Sequence, residues 1–232
     1  AQKSEAQAVI KSTAEERNAQ FTLADTRMTL PALKLHGEHQ KQNAALAATV
    51  VKSLTDYLPI EEVVIRDGLA QVQWPARAQL WSDGKHRFIF DAAHNPASMR
   101  TLADLLRKNH IGELPVILLG MSDEKNWREM CRIIAPWASR VIAVPTTSQK
   151  TVSPNSIAKV CNKFCETMTA KSVEQGLDLL ADESFVVVAG SIYLAGEVME
   201  RLNVSPQPET DERGLNEWKM DDNAQPASCR QD

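Results

Sequence analysis

From residue 87 onward, short unbroken apolar runs alternate with segments of helical periodicity. The runs are RFIFDA (87–92), PVILLGM (115–121), RVIAVPT (140–146) and SFVVVAGS (184–191). They are rich in β-branched residues and lack polar alternation, the pattern of strands buried on both faces. Residues 96–109, 124–137, 154–166, 172–182 and 191–202 carry apolar positions at helical spacing, and ETMTAKS (166–172) supplies a further short strand. Strand, crossover helix and strand in repetition predict an α/β unit with a mainly parallel sheet and helices on both faces.

The first 72 residues read differently. Residues 4–18 are helical in pattern, AQFTLAD (19–25) reads as a short strand, and a turn-rich stretch runs through Pro31. GEHQKQNAALAATVVKSLTDYL (37–58) then predicts a helix with a wide apolar face (Ala44, Ala45, Ala47, Ala48, Val50, Val51, Leu54), stopped by Pro59. PIEEVVIRDGL (59–69) starts a second short helix with Gly68 as its expected stop. This block has too few strands for a complete α/β domain. Past Leu202 the chain turns polar, acidic and Pro-containing, as a flexible tail does. The expected units are therefore 1–72, 73–203 and a tail at 204–232.

At 232 residues with 43% hydrophobic content, the chain is long enough for one large domain or two smaller ones. A net charge of -4 without any block of Lys and Arg argues against a nucleic-acid or anionic-membrane surface and for small-molecule ligands. No apolar run approaches the roughly 20 residues a bilayer span needs, and the N-terminus is polar and amphipathic rather than a signal peptide, so the expected location is cytoplasmic. Cys131, Cys161, Cys165 and Cys229 form no C-x-x-C pair. With Cys161 and Cys165 one helical turn apart, they read as reduced packing residues, the alternative being a half-built metal site. A start at Ala1 without methionine suggests processing, trimming or a fragment.

Open α/β sheets bind ligands at the carboxyl ends of their strands, so the polar residues there are the candidates. They are Asp91 with His94 and Asn95, then Gly120 through Lys125, then Pro145 to Ser148, then Gly190 and Ser191. In DAAHNP, Asn95 is an N-cap and Pro96 suits the first helical position, with Met99, Leu102, Leu105 and Leu106 as the buried stripe. Asp91 at a strand end can accept from a ribose hydroxyl and His94 can donate to a carboxylate or phosphate; the alternative is a loop cap and a partly buried polar residue. Lys125, read as lying in the first turn of a helix capped by Ser122 or Asp123, is placed against the helix dipole. A bound anion would explain it, and a solvated lysine is the plainer reading. Arg77 in WPAR sits where it can reach a cleft and fork onto phosphate or stack on a base. His36 and His39 form only a weak H-x-x-H metal pattern, with capping and polar lining as the alternative. Walker A, G-x-G-x-x-G and G-x-S-x-G sequences are all missing, so the chain reads as half of an active site.

Five motifs in order resemble one family. LHGEHQKQNAALA resembles the L-x-G-x-H-Q-x-x-N-A-A-x-A segment of folylpolyglutamate synthases and bifunctional dihydrofolate synthases in the Mur ligase superfamily. WPAR resembles their W-P-G-R, FDAAHNPAS their D-G-A-H-N-P-x-S, GMSDEKN their G-x-x-x-D-K, and AGSIYLAGEV their G-S-L-Y-L-x-G-E-V. The resemblance implies a Rossmann-like Mur ligase C-terminal domain, preceded by the end of a central P-loop ATPase domain. It implies ATP-dependent amide formation: a folate, tetrahydrofolate or dihydropteroate carboxylate becomes an acyl phosphate, which the amine of L-glutamate attacks. By the same resemblance Asn43, Arg77 and Asp91 contact nucleotide, and His94 serves glutamate and the reaction centre as the catalytic residue. Lys125 and Ser191 fall among the substrate contacts, while the Mg2+ ligands belong to an N-terminal portion not contained in this sequence. The family's usual state is monomeric. Alone, the chain is then expected to be inactive. The rival reading is a stand-alone nucleotide- or glutamate-binding module, or a subunit partnering a separate P-loop half. A Mur ligase for peptidoglycan precursors is disfavoured by the H-Q-x-x-N and W-P-x-R pair. Whether the first glutamate, later ones or both are added stays open. Ala76 and Ala92 stand where the family has glycines, which costs about 1 kcal/mol wherever the backbone is left-handed.

Overall fold

The computed structural model describes residues 4–57, 59–109, 113–148 and 150–204. Three helices come first: α1 (Ser4–Glu16), α2 (Glu38–Ser53) and α3 (Glu62–Gln71). One six-stranded sheet follows, made of β1 (Gln79–Ser82), β2 (Arg87–Asp91), β3 (Val116–Leu119), β4 (Arg140–Ala143), β5 (Glu166–Thr169) and β6 (Phe185–Ala189). Its spatial order is β1-β2-β6-β3-β4-β5, parallel throughout except for β1, which pairs antiparallel with β2. The helices between and after the strands are α4 (Pro96–Asn109), α5 (Trp127–Ile134), α6 (Pro154–Cys161), α7 (Val173–Asp178) and α8 (Ile192–Arg201).

The strands are apolar throughout because both faces are covered, and the two-residue period sorts their side chains into two cores. Ile89, Ile117, Leu119, Val141 and Val187 meet Met99, Leu102 and Leu106 of α4, Met130 and Ile134 of α5 and Ile157 of α6. Phe88, Phe90, Leu118, Ile142 and Val188 meet Val173 of α7 and Leu194, Ala195 and Val198 of α8 on the other side. The expected mainly parallel, doubly covered sheet is therefore present.

Several local expectations are corrected. Residues 19–25 form no strand. They follow a turn after α1 and have no neighbouring strand to pair with, so apolar character alone does not build one. α2 ends at Ser53, ahead of Pro59; near its end Ser53 Oγ donates to the Thr49 carbonyl at 2.8 Å and Thr55 Oγ1 to the Lys52 carbonyl at 2.7 Å. Gly68 lies inside α3, which continues to Gln71. α6 ends at Cys161, so Cys165 sits beyond the helix, and α7 spans only Val173–Asp178. Val204, assigned to the tail, is buried against α8. Residues 205–232, with Cys229, lie outside the described part. β1 was not expected; it is a four-residue edge strand joined to β2 by the four-residue loop 83–86. Among the described residues, no helix is long and apolar enough to cross a membrane.

The residues that stand in for family glycines behave differently from each other. Ala76 is left-handed at φ 53° and almost wholly buried, whereas Ala92 keeps an ordinary negative φ. Ala76→Gly would relieve about 1 kcal/mol of backbone strain. It would also lose about 0.8 kcal/mol of methyl burial and loosen the unfolded chain by a further 0.4–1 kcal/mol or so. The expected net change is within about 1 kcal/mol of zero. Ala76→Val puts a β-branched residue at positive φ in a filled core and is expected to cost more than about 2 kcal/mol. Urea denaturation of both variants checks this contrast.

Candidate functional site

β2 ends at Asp91, and the Asp91 carboxylate organises two loops at once. One oxygen accepts from the Ala78 amide at 3.0 Å and the other from the Ala93 amide at 2.9 Å. The WPAR segment is drawn in further by the Ala92 amide, which donates to the Ala76 carbonyl at 2.8 Å, and by the Ala76 amide, which donates to Gln79 Oε1 at 3.0 Å. These contacts hold Ala76 and Ala78 at positive φ and place Arg77 between them at the carboxyl edge of the sheet. Burial pushes the Asp91 pKa up to about 6, against the two amides and the nearby positive fields of Arg77 and His94. A carboxylate has about four lone-pair directions, of which the amides use two, so two remain for hydroxyl donors.

His94 follows three residues on and is exposed. Its Nδ1 lies 3.0 Å from the Ala92 carbonyl, which can only accept, so Nδ1 carries a hydrogen toward it and Nε2 is the ring nitrogen left for other partners. Behind it, Asn95 caps α4 as expected: its Oδ1 accepts from the Ser98 amide at 2.9 Å, and Ser98 Oγ accepts from the amides of His94 and Asn95. The cap sets the angle at which the DAAHNP loop leaves the sheet.

Arg77 is exposed, forms no ion pair among the described residues, and lines a cavity of about 270 Å³ with Lys34, His36, Trp74 and Gln79. Its positive field also reaches His39 near the start of α2, whose pKa is lowered by burial first and by Arg77 second. The sequence offered His39 as half of a weak metal pair or as a capping and polar-lining residue; the structure makes it a half-buried ring beside Arg77, a placement the sequence did not foresee. Its signal was the Gly37 before it. Gly37 has φ 106°, and a Cβ there would meet His39 Cε1 at 2.6 Å. Asn43 stands one turn after His39, exposed, with Nδ2 donating at 3.0 Å to Oε1 of the buried Gln40.

The remaining two candidates sit on neighbouring strand ends. Ser191 follows β6 and is buried; its hydroxyl caps α8, accepting from the Tyr193 amide at 3.2 Å. The bend that delivers it requires Gly190, at φ 104°, where a Cβ would lie 2.5 Å from the Gly120 carbonyl oxygen. Lys125 is exposed in the turn after β3, ahead of α5 and not in its first turn, because the helix starts only at Trp127. Asn126 occupies the cap position without a side-chain capping bond, while Glu124 of the same turn pairs with Lys150. Arg77, Asp91 and His94 therefore converge and the start of α2 joins them, while Lys125 and Ser191 mark the same sheet edge farther along. Among the described residues no group of three His, Cys, Asp or Glu side chains is arranged to hold a metal.

The family described as Mur ligase, glutamate ligase domain, matches residues 76–192, half of the chain. The chain belongs to the Mur ligase family. It is 28% identical over 182 residues to the folylpolyglutamate synthase of Lacticaseibacillus casei, covering 77% of this chain and 42% of that protein. It is 25% identical over 198 residues to the dihydrofolate synthase/folylpolyglutamate synthase of Mycobacterium tuberculosis, covering 75% of this chain and 40% of that protein. The structure of Mycobacterium tuberculosis folylpolyglutamate synthase complexed with ADP superposes with a TM-score of 0.78 at 21% identity, over 89% of this chain and 55% of that one. The fold expected from the five motifs is thus the fold of this Mur ligase chain, which spans about half the length of the relatives it matches.

The close approach at Gly37 makes a direct test. In Gly37→Ala the new methyl pushes the His39 ring off the start of α2, out of its half-buried position and away from Arg77. By NMR titration, the His39 pKa is expected to move up toward 6.5; an unchanged value would show that Gly37 does not seat the ring.

Proposed function

We propose that this chain is the C-terminal portion of an ATP-dependent acid–amino-acid ligase of the folylpolyglutamate synthase type, a monomeric cytoplasmic enzyme that adds L-glutamate to a folate or dihydropteroate carboxylate. The observation that carries this reading is the convergence of Arg77, Asp91 and His94, built by the shared Asp91 hydrogen bonds. The relatives' names and the ADP bound by a structural neighbour support it. In this reading residues 1–72 close an ATPase domain and residues 73–203 form the glutamate ligase domain.

In the proposed reaction the acceptor carboxylate attacks the γ-phosphorus of ATP, forming an acyl phosphate and releasing ADP. The glutamate amine then attacks the acyl carbon, and phosphate leaves as the amide forms. Asp91 takes the ribose hydroxyls on its two remaining lone-pair directions, Arg77 forks onto phosphate or stacks on the base, and Asn43 contributes from α2. His94 Nε2 takes the proton that the glutamate ammonium must lose before it can attack. Lys125 and Ser191 flank the substrate side. Mg2+ would neutralise the transferring phosphoryl group, and its ligands are assigned to the half that this chain does not span. The chain alone then binds nucleotide without turning it over.

Equilibrium binding of ADP tests the assignment. The wild-type chain is expected to bind, Arg77→Ala to bind about tenfold or more weakly, and no binding at millimolar ADP would overturn it. The pH dependence carries a defined sign. Adenosine has no group of its own titrating near neutrality, so its affinity is expected to fall as the pH drops through about 6, where Asp91 becomes protonated. Asp91→Asn should bind weakly and without that dependence; a titration that survives the substitution would place the responsible group elsewhere.

A further inference from the structure

At the end of β2 opposite Asp91, the loop 83–86 holds a partly buried histidine, His86, with an acceptor on each side of its ring. Nδ1 lies 2.7 Å from Asp83 Oδ2, and Nε2 lies 3.2 Å from the Ala181 carbonyl oxygen in the turn between α7 and β6. Neither oxygen can donate. Asp83 is held down to a pKa of about 2, first by the His86 amide and then by the His86 ring, and a backbone carbonyl only accepts. A neutral imidazole carries one N–H and satisfies one of the two, which sets lone pair against lone pair at the other; the imidazolium satisfies both. The carboxylate is placed by its own loop. Asp83 Oδ1 accepts from the amides of Lys85 at 2.9 Å and His86 at 2.6 Å, and Ser82 Oγ donates to the His86 carbonyl at 2.8 Å, so Oδ2 is presented to the ring in a fixed position.

The other charges around the ring offset one another or face elsewhere. Lys85 donates to the same Ala181 carbonyl and opposes the imidazolium, while Asp182 stands 3.8 Å from the Lys85 ammonium. Arg87, at the start of β2, is turned to Glu113 and the Phe185 ring, and Glu183 is taken by Arg140. Asp83 therefore dominates, and the His86 pKa is raised above the ordinary 6.5, first by the Asp83 side chain and next by the Ala181 carbonyl. We infer that His86 is a proton-operated clip, which as an imidazolium ties the loop 83–86 to the turn ahead of β6 and on losing its proton lets go of that turn. The carboxylate is the stronger acceptor, so the neutral ring keeps its N–H on Asp83 and drops Ala181, leaving that carbonyl to Lys85. What the clip secures is an edge strand: β1 has four residues and pairs only with β2. The near end of β1 is anchored at the Arg77 loop, where Gln79 holds the Ala76 amide, so the clip holds the far end of the strand that carries this loop.

Because the folded pKa is raised, the stability that the clip contributes is complete below pH 6.5 and is lost as the pH climbs through the raised value. Nitrogen-15 NMR of the imidazole rings in the full 232-residue chain tests the proton, and amide hydrogen exchange tests the strand. His86 is expected to titrate above 6.5 with both ring nitrogens protonated below its midpoint, and Asp83→Asn to bring the midpoint down to 6.5 or lower. The amides of β1, corrected for the intrinsic rise of exchange with pH, are expected to exchange severalfold faster once the pH passes the His86 midpoint. His86→Gln, which donates to one partner at every pH, is expected to show no such step. Circular dichroism verifies that both variants fold. A wild-type His86 midpoint at or below 6.5, or one that Asp83→Asn leaves in place, overturns the inference. So does exchange in β1 that takes no step at that midpoint, or takes the same step in His86→Gln.

Discussion

The Asp91 carboxylate is the constraint on which the site depends. β2 is apolar and buried up to this residue, so a carboxylate at its end is partly removed from water and would ionise only at a free-energy cost unless hydrogen bonds compensate. Two backbone amides do so, one from its own loop and one from the WPAR segment. The same bonds clamp the entry into the α/β domain onto its carboxyl edge. The left-handed residues Ala76 and Ala78 are held there by this clamp, in a conformation that costs an alanine about 1–2 kcal/mol each. Strain in the backbone and burial of a charge are both concentrated where Arg77 and His94 are brought together, as at sites whose geometry is fixed for a ligand.

Electrostatics then separates the roles of the neighbouring groups. Arg77 keeps its charge and its exposure. His39, burdened by burial and by Arg77, is held neutral, and His94 is tied through Nδ1 to a carbonyl, leaving Nε2 for other partners. One fixed cation, one carboxylate of raised pKa and two imidazoles with distinct surroundings thus share a small region. An anionic nucleotide entering it would meet the cation first and would favour the positive ends of these groups, while the carboxylate remains available to hydroxyls rather than phosphates.

Most of the sheet was legible because its strands are buried on both faces, and unbroken β-branched runs have few other solutions. Asn95 and Pro96 announced the start of α4 through cap chemistry that acts locally. What was not legible depends on contacts distant in sequence. β1 is half-exposed and exists only because β2 lies beside it; FTLAD is as apolar as some real strands but has no neighbour. α2 stops at Ser53, well before Pro59 would require it, an end that apolar periodicity alone does not mark. At the candidate site, Arg77, Asp91 and His94 stood out from their motifs, whereas His39 was offered only as a weak metal pair or polar lining, because its surroundings come from the fold of Gly37 and the field of an arginine 38 residues away.

The two parts of the chain differ in what holds them. α4, α5, α6 and α8 each press an apolar stripe onto the sheet. In contrast, α1 and α3 bury no residue, and α2 buries only Gln40 and three alanines while Leu46, Val50 and Leu54 stand exposed at successive turns. Isolated helices of 10 to 16 residues are marginal in water, so packing against something else must supply most of their stability. The candidate site takes residues from both parts: Arg77, Asp91 and His94 stand on the well-packed sheet, whereas His39 and Asn43 ride on a thinly packed helix. The geometry of the first group is therefore set within the domain itself. That of the second follows the placement of α2, so whatever covers the outer face of α2 also controls how completely the site is assembled.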